Sequence, residues 1–107
     1  MVFKIELKCT VANMVEEPDS GWQAKIFAAL ADPTRLQIVE LLAVHDEMSG
    51  SAIAEKLGIS LALYCHHSKL LTEVGLIKRR KDGQTKYSSL NRELLSSCFN
   101  SLMSKEK

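Results

Sequence analysis

Between Ser51 and Leu71 the sequence reads SAIAEKLGISLALYCHHSKLL, two helical patterns only three residues apart. The first is capped by Ser49 or Ser51 and stops at Gly58, a residue that leaves a helix through left-handed backbone at no steric cost. Ser60 caps the second, which runs to Gly75. A three-residue Gly58-Ile59-Ser60 turn between two helices matches the spacing of a helix-turn-helix. Beyond Gly75 the period changes. LIKRR and TKYSSL are short β-prone runs joined by KDGQ, and Asp82-Gly83 supplies the positive φ angles of a tight hairpin. A basic hairpin directly behind a helix-turn-helix is a winged helix, in which one helix enters the major groove of DNA and the hairpin reaches the flanking backbone.

The chain upstream and downstream fits such a domain. Pro33 cannot extend the helix before it but suits the first position of a new one, which Asp32 caps. In that helix Leu36, Val39, Leu42 and Ala43 recur at helical spacing, with Ile38 and Leu41 widening the buried face. An earlier helix is expected to begin near Trp22, capped by Asp19 or Ser20. A last one, capped by Asn91, carries an apolar stripe of Leu94, Leu95, Cys98, Phe99 and Leu102 that packs inward or against a second copy. Phe3, Ile5, Leu7, Cys9 and Val11 alternate with polar residues, the period of a half-buried strand. The expected fold class is mainly α (α+β): an amino-terminal arm or strand over residues 1–19, then a winged helix-turn-helix over 20–104 with a two-stranded wing.

With 107 residues, 46% of them hydrophobic and 25% charged, one domain is expected. No run has the length of a membrane span, and the amino end lacks the apolar segment of a secretion signal, so the expected location is cytoplasmic. Three widely spaced cysteines encode neither a disulfide framework nor a zinc ribbon. The net charge of +1 names no partner, but its distribution does. From Ser60 to Leu90 six basic residues face two acidic ones, a local +4 in a near-neutral chain, the footprint of polyanion binding. Arg79, Arg80, Lys81, Gln84 and Lys86 offer the mobile cations and donors that phosphates need, and Gly83 lets the tip approach a duplex closely.

Cys65, His66 and His67 are metal-ligand types standing side by side. On a helix, consecutive side chains diverge by about 100°, so the three cannot close around one ion, nor can Cys65 and an adjacent His form a nucleophile-to-base hydrogen bond. With no converging carboxylates and no phosphate-cradling glycine loop, no catalytic residue is expected and the chain is read as a non-enzyme.

The phrases ALADPTRLQIVELL (29–42), AIAEKLGIS (52–60), HHSKLLTEVGLIKRRKDG (66–83) and TKYSSLN (85–91) together resemble the ArsR/SmtB family of small dimeric winged-helix repressors. The resemblance implies a homodimer built on its first and last helices, binding an imperfect palindromic operator in double-stranded DNA and released by an inducer. It makes residues 61–74 the DNA-reading helix, with Ser60, Leu61, Ala62, Cys65, His66 and Lys69 at the duplex, while His67 and Leu71 lean toward the core or the wing. The helix departs from its relatives: Leu61-Ala62-Leu63 replaces a polar run, and Ser68 stands where Leu is usual. Apolar side chains touch only thymine methyls or sugar carbons, which shifts affinity toward phosphate contacts and DNA shape. A second reading is a protein-interaction module that keeps the frame but has lost base readout.

The family's known metal sites are incomplete here. MSGSAI holds no thiol where a C-x-C phrase would stand, and the last helix offers Asn91, Glu93, Ser104 and Lys107. His45, Asp46 and Glu47 read as a loop. Neither metal nor cofactor is therefore expected. Thiol sensing through Cys9, Cys65 or Cys98 is the remaining inducer reading, with Cys65, beside Lys69, the thiol whose modification obstructs the groove contact. Cys9 and Cys98 also read as small buried hydrophobes. All of this requires the helix from Leu61 and the finger around Gly83 to lie along one convex surface.

Overall fold

A computed structural model describes residues 18–104 of the chain. The expected strand over residues 3–11, with Cys9, lies outside the described residues. The first helix, α1 (Pro18–Leu30), begins earlier than expected. Pro18 opens it, where a missing N–H costs nothing, so Asp19 and Ser20 fall inside the first turn rather than before it. Helix α2 (Pro33–Val44) starts as read: the Asp32 carboxylate accepts the Arg35 N–H at 3.0 Å, and Pro33 takes the first turn. Its buried face is Ile38, Val39 and Leu42. Leu36, 40% exposed, and Ala43 lie outside it. Two residues from Ile38 is about 200° around the axis, so a face centred on Ile38 turns Leu36 away.

The loop after α2 holds a short strand, β1 (Met48–Ser49), that periodicity does not suggest. Ser49 then caps α3 (Gly50–Leu57), its hydroxyl accepting the Ala52 N–H at 3.1 Å, and Gly58, at φ +71°, ends it. Helix α4 (Leu61–Glu73) comes next, behind its Ser60 cap. The hairpin strands are β2 (Ile77–Asp82) and β3 (Thr85–Leu90), joined antiparallel from Ile77↔Leu90 to Asp82↔Thr85. The final pair leaves Gly83 and Gln84 as the two-residue turn, with Gly83 at φ +64°, so the turn sits one residue beyond Asp82-Gly83. β1 adds to β3 through Met48↔Ser88 and Ser49↔Tyr87, and the expected hairpin becomes a three-stranded antiparallel sheet of order β1-β3-β2.

Helix α5 (Arg92–Met103) is capped by Asn91, whose side-chain oxygen accepts the Leu94 N–H at 3.2 Å while its amide donates to Gly75 O at 3.1 Å. One core joins these layers: Ile26 of α1, Ile38 and Leu42 of α2, Ile53 of α3, Leu71 of α4, Leu76 before the sheet and Cys98 of α5 are all fully buried. Gln23 donates to Cys98 O at 3.3 Å, and Phe27 meets Phe99 edge-on at 5.9 Å, which docks α5 on α1. The apolar stripe of α5 is only half used. Cys98 is enclosed, but Phe99, Leu102 and Met103 are 46%, 53% and 79% exposed. Among the described residues no helix is long and apolar enough to cross a membrane.

Candidate nucleic-acid interface

Helix α4 separates its side chains cleanly. Tyr64, His67, Ser68 and Leu71 are buried, whereas Leu61, Ala62, Leu63, Cys65, His66 and Lys69 are exposed. Ser60 Oγ accepts the Leu63 N–H at 3.0 Å, so its hydroxyl is engaged in capping. His67 turns inward as read from the sequence: Nδ1 lies 3.2 Å from Arg35 Nη1 and 3.9 Å from Asp32 Oδ2, and Arg35 also donates Nε–H to Ala29 O at 2.7 Å. Arg35 as donor makes Nδ1 the acceptor and leaves the ring proton on Nε2. The Asp32 carboxyl sits below its ordinary value because it accepts the Arg35 backbone N–H, with the Arg35 charge adding to the effect. This junction fixes α4 against the start of α2. His66 remains outside, its ring edge-on to His67 at 5.1 Å.

A cleft of about 820 Å³ separates α4 from the wing. Leu61, Cys65 and Lys69 line its helix side, and Arg79, Gln84 and Lys86 its wing side. Helix and finger thus share one side of the molecule as the walls of a groove, not as points along a convex surface. Ala62 and His66 stand on the outer face of α4 and Lys81 is exposed on β2, none of them lining the cleft.

Two wing arginines are engaged within the protein. Arg79 donates Nη2–H to Ser68 Oγ at 2.8 Å. Arg80 reaches across β3, its guanidinium 4.8 Å from the centre of the Tyr87 ring, to donate twice to Glu47 at 2.9 and 2.8 Å. Those hydrogen bonds, with the adjacent charge, hold the Glu47 carboxyl below its ordinary value and raise that of Arg80. Glu47, read as part of a loop, therefore ties the middle of the wing to the segment before β1. Lys69, Lys78, Lys81 and Lys86 are exposed and enter no ion pair among the described residues.

The Cys65-His66-His67 trio does not converge, since Cys65 is exposed and His67 is buried. Among the described residues no group of three His, Cys, Asp or Glu side chains is arranged to hold a metal ion. Asn91, at one position of the family's metal site, uses its side chain to cap α5. Cys98 is enclosed, and burial pushes its thiol up; Cys65 is the exposed thiol and faces the cleft.

Comparison with known proteins bears on this geometry. A family model described as a helix-turn-helix domain matches residues 30–80. The transcriptional repressor SdpR of Bacillus subtilis is 37% identical over 75 residues, 70% of this chain and 82% of that protein. The solved ArsR-like transcriptional regulator from Rhodococcus superposes with a TM-score of 0.73 at 27% identity, over 80% of each chain. The chain belongs to the ArsR family of transcriptional regulators. A further ArsR-type neighbour, a homodimeric winged helix-turn-helix DNA-binding domain from Mycobacterium bovis, matches at a TM-score of 0.67 and 26% identity, over 92% of this chain and 86% of that one. Family members are DNA-binding regulators, not enzymes. The ArsR frame accounts for helices α2 to α4 and the wing; the Leu61-Ala62-Leu63 start of α4 and the Arg80–Glu47 anchor are features read from this chain itself.

Proposed function

We propose that the chain is a dimeric, sequence-selective transcriptional repressor acting in the cytoplasm, whose protomers set α4 into successive major grooves of a palindromic operator while the wing reaches the flanking backbone. The observation that carries this reading is the cleft itself, with the exposed face of α4 on one side and the cationic wing on the other. Ala62 and His66 point outward to meet base edges; Leu61, Cys65 and Lys69 stand on the wing side; Ser60 holds the start of the helix. Lys69, Lys81, Gln84 and Lys86 supply phosphate contacts, joined by Lys78. Arg79 and Arg80 serve by setting the wing. The homodimeric relative and the uncovered Phe99, Leu102 and Met103 face of α5 support a second copy as partner, packed across α1 and α5. Release comes from an inducer, or from modification of Cys65, the thiol that opens into the cleft.

The test is fluorescence anisotropy with the promoter of the chain's own operon against random duplex at matched salt. Selective binding is expected, with log K falling steeply against log salt. The four exposed lysines of α4 and the wing, Lys69, Lys78, Lys81 and Lys86, doubled in a dimer, set a limiting slope of about −7. The exposed Leu61 and Leu63, 50% and 41% accessible, favour a second reading in which this face docks a protein. Equal affinity for promoter and random duplex decides for that one.

A further inference from the structure

Tyr64 and Ser68 stand four residues apart on α4 and so share a face. Arg79 and Ser88 are directly paired across β2 and β3. Two side-chain hydrogen bonds join these pairs: Tyr64 Oη lies 2.8 Å from Ser88 Oγ, and Arg79 Nη2 lies 2.8 Å from Ser68 Oγ. Tyr64, Ser68 and Ser88 are 5%, 1% and 4% exposed, so water does not compete for their hydroxyls. One turn of the helix is thereby bridged to one rung of the sheet at two points, which stops both sliding and hinging. All four residues line the cleft between helix and wing. Gly50 belongs to the same arrangement: a Cβ there would stand 2.8 Å from Tyr64 Cε2, so only glycine at the start of α3 lets the ring pass to Ser88.

We propose that Tyr64, Ser68, Arg79 and Ser88 form a polar clasp that sets the separation of reading helix and wing, and through it which flanking phosphates the wing engages. The proposal rests on the DNA-binding reading above. Apolar contact alone would leave the wing free to shift along α4, because dispersion has no preferred direction; hydrogen bonds of fixed length and angle do not. The four are positioning residues. They bear no phosphate contact themselves and decide where the wing cations Lys81 and Lys86 stand relative to the axis of α4.

Tyr64→Phe and the double variant Tyr64→Phe/Ser68→Ala remove hydroxyls without changing charge. In the free protein, trypsin should cut among Lys78–Lys86 roughly tenfold faster in Tyr64→Phe and faster again in the double variant, since each buried hydrogen bond lost raises the open population by about that factor. Far-UV circular dichroism should be unchanged. Anisotropy then compares the promoter duplex with a copy trimmed of its flanking base pairs. Wild type gains affinity from the flanks; the double variant should lose that gain and bind the trimmed duplex as wild type does. Should the double variant not fold, Tyr64→Phe, which deletes one atom, and Gly50→Ala, which displaces the ring, carry the same expectation. An unchanged cutting rate overturns the clasp. A retained flank gain, or equal weakening on both duplexes, overturns its role in DNA binding. A wild type with no promoter preference sinks the DNA-binding reading instead, and the tryptic comparison still decides whether the four residues hold the wing.

Discussion

At the first turn of α4, Ser60 has committed its hydroxyl to the Leu63 N–H, and the next three residues carry no polar side-chain atom. Direct readout by Leu61, Ala62 and Leu63 is therefore confined to thymine methyl groups. Replacing the thymines of the bound promoter by deoxyuridine should weaken binding by about 0.8 kcal/mol per contacted methyl, roughly fourfold in Kd, and a Leu61→Ala variant should lose part of that sensitivity. Unaltered anisotropy on the deoxyuridine duplex would count against Leu61 and Ala62 as readers. Glu47 makes a second residue-level case. Its carboxyl is held below the usual 4.5 in the folded chain, first by the Arg80 hydrogen bonds and then by the Arg80 charge. A depressed carboxylate contributes stability that is present above its unfolded value and lost as pH falls through its folded one. Glu47→Gln should therefore melt below wild type at neutral pH, and the gap should close as acid protonates the Glu47 carboxylate; a gap that persists once it is protonated would show the ion pair to be idle.

Single elements differ in how much of them local sequence determines. Helix α2 is legible because its start signal is local: Asp32 and Pro33 are adjacent, and the Asp32 carboxylate bonds three residues on. Ser60 and Asn91 work in the same way at α4 and α5. Ser60→Ala should cost roughly 1 kcal/mol of stability, read as a lower midpoint in chemical denaturation with an unchanged m-value. Strand β1 is not legible, since two residues carry no period and are strand only because Met48 and Ser49 find β3. Leu36 departs from its expected place because apolar residues on both sides of α2 fit overlapping stripes, and only packing against the core selects the one centred on Ile38. The site divides likewise. Exposed lysines and the outward face of α4 are set by helical and strand periods, whereas Arg80–Glu47, 33 residues apart, and Ser68–Arg79, 11 apart, depend on where the elements meet.

Taken as a whole molecule, the protomer is complete on its core side and incomplete along α5. Cys98 is sealed in while Phe99, Leu102 and Met103 stay exposed, the apolar strip on which the proposed dimer rests. Phe99→Glu with Leu102→Glu should yield a monomer in sedimentation equilibrium. Because two linked reading helices bind far better than one, promoter affinity should drop by at least about a hundredfold. A double variant that sediments as a dimer would relocate the interface.

Among the described residues the order β1-β3-β2 leaves β2 with an unpaired outer side, and that strand is basic from Lys78 to Lys81. A bare strand margin invites another chain to zip onto it, and lysine is a common guard against such stacking. Positive charge along such a margin disfavours that pairing, because two copies of it repel. Anyone neutralising these lysines to probe operator affinity should choose glutamine over valine or isoleucine, for an oily rim would precipitate the protein before its grip on DNA was measured.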